Sequence, residues 1–268
     1  MKTIKFLVIT FSSIFLIAFI FYLLFVYFNQ QNMVFRATTL FKNHRFSFAN
    51  SHQEIFTTAI DGKKLHGLYF SSTNSKGLVF YLHGNKGTVD LWGRNADFYT
   101  NLGYDVFYAD YRGFGKSEGQ IENEQQVLDD AIVVFDDIQK RFKPSKTIIL
   151  GYSIGTGIAT YLAKQRKCHS LILLAPFYNF TEITSNRVPL FPNFLKKFSF
   201  ETNLFIQEVS CPITIFHGNK DYVIPIENGI KLKKLLKPTD QFFILENQAH
   251  VGINENSTFQ KIMSARIL

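Results

Sequence analysis

Residues 146–164 constrain the fold more than any other stretch of this chain. Thr147, Ile148, Ile149 and Leu150 form an apolar run of strand length, and Ile158-Ala-Thr-Tyr-Leu-Ala-Lys164 reads as a helix. Between them lies Gly151-Tyr152-Ser153-Ile154-Gly155. A chain that leaves a strand and enters a helix within so few residues forces the turn residue into a strained backbone conformation. Flanking glycines are needed because a Cβ at either position would strike the neighbouring strand or helix. The Ser153 hydroxyl is then presented at the carboxyl end of the strand. The helix N-terminus below it offers free N–H groups and partial positive charge. That combination suits a nucleophile and an oxyanion. The blander reading is a glycine-rich turn that only packs a helix on a sheet.

The remaining elements supply the context. Residues 54–60 and 64–71 read as a hairpin around Asp61-Gly62, a pair that favours a tight turn. Residues 77–82 read as a buried strand that runs into His83-Gly84-Asn85-Lys86-Gly87. One helix is expected over residues 88–102 with Thr88 as its N-cap, then a strand over 104–109. Residues 122–142 have an amphipathic helical pattern, acidic early and basic late, which suits the helix dipole. Further strands are expected at 170–174, 212–216 and 241–245, with a helix near 227–236. Strands alternating with helices imply an α/β fold with a mainly parallel sheet covered on both faces.

In such a sheet, ligands bind where the strands end. The loop at His83-Gly84-Asn85 therefore shares a rim with Ser153, and we assign the backbone N–H groups of Asn85 and Ile154 to an oxyanion hole. His83 reads as a brace for that loop. Asp221 follows one later strand and His250 follows the next, so both can reach the same rim. A serine hydroxyl is too weak an acid to attack unaided at neutral pH. His250 would take its proton, and Asp221 would fix the imidazole tautomer and stabilise the imidazolium. The chain order Ser153, Asp221, His250 suits this architecture. Taken singly, Asp221 also reads as a turn aspartate capping the next helix, and His250 as a surface loop histidine.

Other motifs fail their tests. Gly113-Phe-Gly115-Lys116-Ser117 ends like a phosphate-binding loop, but Asp110 stands where the pattern needs a glycine. Gly155-Thr-Gly157 begins like a dinucleotide fingerprint, but Thr160 occupies the third glycine position. His44, His52, His66, His169 and His217 have no metal-ligand spacing. No cofactor, metal or nucleotide is expected.

Taken together, Leu82-His-Gly-Asn85, Asp110-Tyr-Arg-Gly-Phe-Gly-Lys-Ser117, Gly151-Tyr-Ser-Ile-Gly155, Cys211-Pro-Ile-Thr-Ile-Phe-His-Gly218, Asp221 and His250 resemble the α/β-hydrolase superfamily. Within it the chain is most similar to compact membrane-anchored serine hydrolases with esterase or thioesterase activity. The resemblance covers residue 54 to the end. It implies a mainly parallel eight-stranded sheet with helices on both faces and a short cap. It also implies that Asp110 is structural rather than the triad acid. It says little about substrate.

Residues 6–28 are uncharged and apolar, about 34 Å long as a helix and enough to cross a bilayer. Lys2 and Lys5 precede the run, and Tyr22 and Tyr27 fall toward its far end, where amphipathic rings favour the interface. The run is long for a signal peptide, and no Ala-x-Ala-like site follows it, which favours an uncleaved single-pass anchor. Residues 1–30 are read as anchor, 31–53 as connector and 54–268 as the hydrolase domain. Positive charge on both flanks nearly balances. Lys2 and Lys5 lie nearer the membrane, which leans the domain outside the cytoplasm. The net charge of +8 is scattered rather than striped, so it suggests an anionic membrane surface and not a nucleic acid. Cys168 and Cys211 each precede a strand-like run. They read as two buried free thiols that lie close if the strands are neighbours, with a bridge open to them only in an oxidising compartment.

Phenylalanine accounts for 30 of the 268 residues. Phe177, Phe180, Phe191, Phe194, Phe198, Phe200 and Phe205 fall within residues 176–210, longer than a simple strand connection needs. We expect a short cap there that forms an apolar acyl pocket facing the membrane. Ordinary packing of one surface helix is the plainer alternative. Hydrolysis of carboxylic esters or thioesters of lipid-like or acylated small molecules through an acyl-enzyme fits these features best. A serine peptidase of the aminopeptidase type would need an acidic anchor for a free amine, and the cap has no acidic cluster. A catalytically inactive binding protein of the same fold is a third reading, which an intact triad opposes.

Overall fold

The computed structural model describes residues 1–267 of the chain. Eight strands form one sheet: β1 (His52–Thr58), β2 (Lys64–Phe70), β3 (Leu78–Leu82), β4 (Asp105–Ala109), β5 (Thr147–Tyr152), β6 (Ser170–Leu174), β7 (Ile213–Gly218) and β8 (Gln241–Leu245). Their spatial order is β1-β2-β4-β3-β5-β6-β7-β8. β1 pairs antiparallel with β2, and β2 antiparallel with β4; every other pairing is parallel. Parallel central strands need both faces covered, and their side chains divide accordingly. Leu78, Phe80 and Leu82 of β3 join one core, while Val79 and Tyr81 join the core on the other face.

The helices are α1 (Lys2–Val34), α2 (Val89–Trp92), α3 (Ala96–Asn101), α4 (Glu124–Phe142), α5 (Ile154–Gln165), α6 (Phe180–Ser185), α7 (Thr202–Phe205), α8 (Glu227–Lys233) and α9 (Ser257–Ile262). α4 buries Val127, Leu128, Ala131, Val134, Phe135 and Ile138 on one side. Asn123 accepts from the Gln126 N–H at its start, and Lys143 closes it in a left-handed conformation. Arg112 ties α4 to the first hairpin by forking between Asp130 and Asp61. Its guanidinium holds the Asp61 carboxyl down to about 2.

Several local expectations are corrected. The hairpin turns through residues 59–63, longer than a two-residue Asp-Gly turn. The Ala59 C=O accepts from the Gly62 N–H and the Ala59 N–H donates to the Lys63 C=O. Thr88 does cap, accepting from the Asp90 N–H at 3.2 Å, but residues 88–102 are not one helix. A 3-10 turn at Gly93–Asn95 separates α2 from α3. Gly93 lies beneath the rings of Phe48 and Phe70, so close that a Cβ there would sit 2.9 Å from Phe48 Cζ. The helix expected near 227–236 stops at Lys233. Cys168 and Cys211 are free, with their sulfurs 2.7 Å apart ahead of the neighbouring strands β6 and β7.

α1 also departs from expectation. It is long and apolar enough to cross a membrane, and it continues past residue 30 to Val34 without a break. The segment after it packs on the domain. The Arg36 N–H donates to the Asn85 C=O at 3.0 Å, and Thr38 and Leu40 exchange backbone hydrogen bonds with Gly115. Phe35 is 3% exposed and meets the rings of Tyr111, Phe114, Phe198 and Phe200. Truncation of a side chain buried in this way costs about 3–5 kcal/mol. Phe35→Ala is therefore expected to lower the thermal midpoint of the detergent-solubilised chain by several degrees. Melting alongside the unsubstituted chain would mean that this segment does not pack as described.

Candidate active site

β5 leads into α5 through Ser153, whose backbone sits at φ 55°, ψ −119°. That region is strained for a residue with a Cβ. The turn is held by the Ser153 N–H on the Leu174 C=O at 2.9 Å, and by the Thr156 N–H and hydroxyl on the Ser153 C=O. Two glycines permit it. A Cβ on Gly155 would lie 2.1 Å from the Leu82 carbonyl oxygen, and one on Gly151 would lie 2.5 Å from the Gly155 carbonyl oxygen. Both obstacles are backbone, which cannot step aside cheaply.

The structure brings Ser153, Asp221 and His250 together. His250 Nε2 lies 2.9 Å from Ser153 Oγ, and His250 Nδ1 lies 2.7 Å from Asp221 Oδ2. An ionised carboxylate can only accept, so the Nδ1–H donates to Asp221 and leaves the Nε2 lone pair facing the hydroxyl. The His250 loop is anchored from β5, where the Tyr152 hydroxyl donates to the His250 C=O. Asp221 is both turn former and histidine partner. Its Oδ1 accepts from the Val223 and Ile224 N–H groups at 2.9 and 2.8 Å, while Oδ2 faces His250. The turn and histidine roles are thus filled by opposite oxygens, but Asp221 does not cap α8, whose N-cap position is Ile226 and has no side-chain cap. Burial works to raise the Asp221 carboxyl. Hydrogen bonding to His217, His250 and the Ile224 N–H overrides it and holds the group well below the usual carboxylate range.

Asn85 and Ile154 both line the cavity that opens at Ser153. Ile154 begins α5, so its N–H has no partner one turn earlier in that helix. The Asn85 loop is fastened on several sides. Its side-chain amide donates to the Val34 C=O at 3.1 Å, and its own C=O accepts from Arg36. His83 donates no proton to the site. Its Nδ1 lies 2.7 Å from the Gly84 C=O, and its Nε2 faces Asp110 at 3.5 Å. Asp110 also takes the Val89 N–H at 3.0 Å and lies 3.1 Å from His66 Nδ1. Burial pushes the Asp110 carboxyl up, but the two histidines outweigh it and keep the group low. Asp110 is a tie beneath the loop and does not reach the triad.

The cavity holds about 450 Å³. Of the seven cap phenylalanines, only Phe180, Phe191 and Phe198 line it. Phe177 and Phe200 are buried in the core below, Phe205 packs on Tyr161, and Phe194 is 86% exposed. The cap is short and broken, built from α6, α7 and 3-10 turns rather than one helix. Two groups of lining residues escaped the sequence reading. The end of α1 contributes Val26, Gln30, Met33 and Val34. Three cations, Arg36, Arg187 and Lys196, also line the cavity, while no Asp or Glu does among the described residues. Lys196 donates to the Thr181 C=O and the Ser185 hydroxyl, and burial lowers its ammonium. No local pattern marks these cations, since they are far apart along the chain.

Comparisons with known proteins agree with this architecture. Residues 73–206 match the Hydrolase_4 family, described as serine aminopeptidase, S33. The match includes Asn85, Ser153 and Ile154 but ends before Asp221 and His250. The lysophosphatidylserine lipase ABHD12 of Macaca fascicularis is 33% identical over 195 residues, covering 63% of this chain and 48% of that protein. The chain therefore spans about half the length of these lipase relatives. The uncharacterised protein YfhR of Escherichia coli is 26% identical over 212 residues, covering 75% of this chain and 74% of that protein. The Pyrococcus furiosus esterase Pf2001 shares the fold with a TM-score of 0.69 at 16% identity, covering 86% of this chain and 94% of that one. With the family match covering half of its length and an eight-stranded α/β-hydrolase sheet beneath it, the chain belongs to the serine aminopeptidase S33 family of α/β-hydrolases.

Proposed function

We propose that the chain is a serine hydrolase that cleaves the carboxylic ester of a lipid with one acyl chain and an anionic headgroup. The observation that carries this reading is the relay from Asp221 through His250 to Ser153, which opens on a largely apolar cavity lined by three cations and, among the described residues, by no carboxylate. His250 takes the Ser153 proton as Oγ attacks the ester carbonyl. The Asn85 and Ile154 N–H groups receive the developing oxyanion. Collapse breaks the ester C–O bond, and the alcohol leaves with the proton from His250. Water then attacks the acyl-serine, with His250 again as base, and releases the acid. A thioester would follow the same steps with a thiol as leaving group.

The apolar part of the cavity suits an acyl chain. Arg36, Arg187 and Lys196 suit a phosphate or carboxylate nearby. Relatives named as lysophosphatidylserine lipases act on a substrate of that chemistry. An aminopeptidase reading has the family description in its favour. Among the described residues it lacks a carboxylate in the cavity to hold a free amino terminus. We further assign α1 as a single-pass anchor, 54–268 as the catalytic unit with 176–210 as its cap, and the extracytoplasmic side for that unit. Protease added to intact cells is expected to cleave the domain; full protection would reverse the assigned side.

A fluorophosphonate probe is expected to label the chain, and Ser153→Ala to abolish both labelling and ester turnover. Persistent labelling in the variant would show that another residue is the nucleophile. In a panel of long-chain esters and aminoacyl anilides, the esters should be the better substrates; the reverse order favours the peptidase. Asp221→Asn should lower kcat by about 10³- to 10⁴-fold, because the imidazole loses its tautomer control. The depressed Asp221 carboxyl also gives an acid dependence. Its stabilisation is complete above the unfolded value of about 3.9 and is lost as pH falls below it. On acidification from pH 5 to pH 3, the thermal midpoint of Asp221→Asn should therefore fall less than that of the unsubstituted chain. Equal falls would count against an ionised, bonded Asp221.

A further inference from the structure

α1 does not stop at the domain surface. Its first 18 residues are exposed, but from residue 19 to residue 34 a face recurring every third or fourth position is covered. The cover is the cap. The Tyr22 hydroxyl donates to the Pro189 C=O at 2.6 Å. The Gln30 side chain, 7% exposed, donates to the Leu195 C=O at 3.0 Å and accepts from the Lys197 N–H at 2.8 Å. The Lys197 ammonium sits 4.7 Å above the Tyr27 ring. Helix and cap are therefore stitched along several turns, with the cavity between them.

The depth of that seam matters. A bilayer crossing takes about 20 residues. One that begins after Lys5 ends near residue 25, beyond Tyr22. The Pro189 carbonyl then lies at the edge of the hydrocarbon, where no water would satisfy it and the tyrosine hydroxyl does. Beside it, Leu190 is 77% exposed and Phe194 is 86% exposed. Leu190 is also held at φ 65°, an unusual conformation for a bulky side chain. Two large apolar side chains turned outward at this depth have a lipid leaflet as their natural partner.

We propose that the cap tip, residues 188–196, is seated in the leaflet that α1 leaves, and that an acyl chain passes sideways from that leaflet between α1 and the cap to reach Ser153. Val26 and Met33 form one wall of this passage, and Val188 and Phe191 form the other. Arg187 and Lys196 line the same cavity, so a charged headgroup stays at the membrane surface while its chain enters. The inference rests on the hydrolase reading of Ser153 and on α1 crossing the bilayer.

The test uses the full chain in phosphatidylcholine vesicles. The chain has a single tryptophan, Trp92, so Phe194→Trp adds one reporter at the cap tip. Lipids brominated in their acyl chains should quench this added emission and leave that of the unsubstituted protein largely unchanged. No added quenching would overturn the proposal. Leu190→Glu combined with Phe194→Glu changes only exposed side chains outside the cavity. Turnover of 4-methylumbelliferyl oleate held in the vesicles should fall at least about tenfold. Turnover of water-soluble p-nitrophenyl acetate should stay as it was. Equal loss on both substrates, or loss on neither, would sink the lateral route. If the unsubstituted protein cleaves neither substrate, the hydrolase reading fails instead, and the quenching result still decides where the cap sits.

Discussion

The strained turn at Ser153 organises the molecule. A serine at φ 55° is unfavourable by itself and persists only where its surroundings over-determine it. Here the surroundings are the central parallel strands, the backbone of β3 pressed against Gly155, and the Leu174 carbonyl that receives the Ser153 N–H. That packing keeps the hydroxyl at the end of β5 and the first N–H groups of α5 beneath it. The loops after β3, β7 and β8 then meet at that point, because parallel strands deliver their carboxyl ends to one edge.

Buried carboxylates do the second part of the positioning. Asp110 and Asp221 are almost wholly removed from water, and an unpaired charge in such places would cost several kcal/mol. Each is instead surrounded by donors. Asp110 gathers His66, His83 and the Val89 N–H, and so fixes the loop that carries Asn85. Asp221 gathers two backbone N–H groups and His250, and so fixes the imidazole. Both carboxyls are held low for the same reason, yet only Asp221 lies within reach of His250, the residue that faces the hydroxyl. A depressed acid is therefore a sign of good coordination here, and geometry separates brace from relay.

The apolar helix joins this scheme at its carboxyl end. Val34 accepts from the Asn85 amide, Phe35 fills a nest of four aromatic rings, and Gln30 holds the cap. The same short region thus touches the loop that carries Asn85, the core and the cavity wall. A hinge between helix and domain would break all three sets of contacts, which explains why the chain passes from one to the other without a flexible linker.

Much of this was readable from residues close together in sequence. Gly-x-Ser-x-Gly between an apolar run and a helical pattern determined the turn, because steric exclusion at the two glycines is local. Alternating strand and helix patterns determined the parallel sheet, and the order of Ser153, Asp221 and His250 put three candidates at one edge. The reach of the first helix was not readable. Gln30 lies past the end of the apolar run 6–28, and only contact with residues 195 and 197 makes it a buried clamp. Nor could composition sort the cap phenylalanines into cavity lining, core and exposed tip, since all seven are the same residue in similar company. Arg36, Arg187 and Lys196 are distant along the chain and converge only after folding. Backbone sterics and periodicity act over a few residues and leave a trace in sequence; burial, charge convergence and the shape of a cavity depend on which distant segments pack together, and that was decided by the tertiary structure alone.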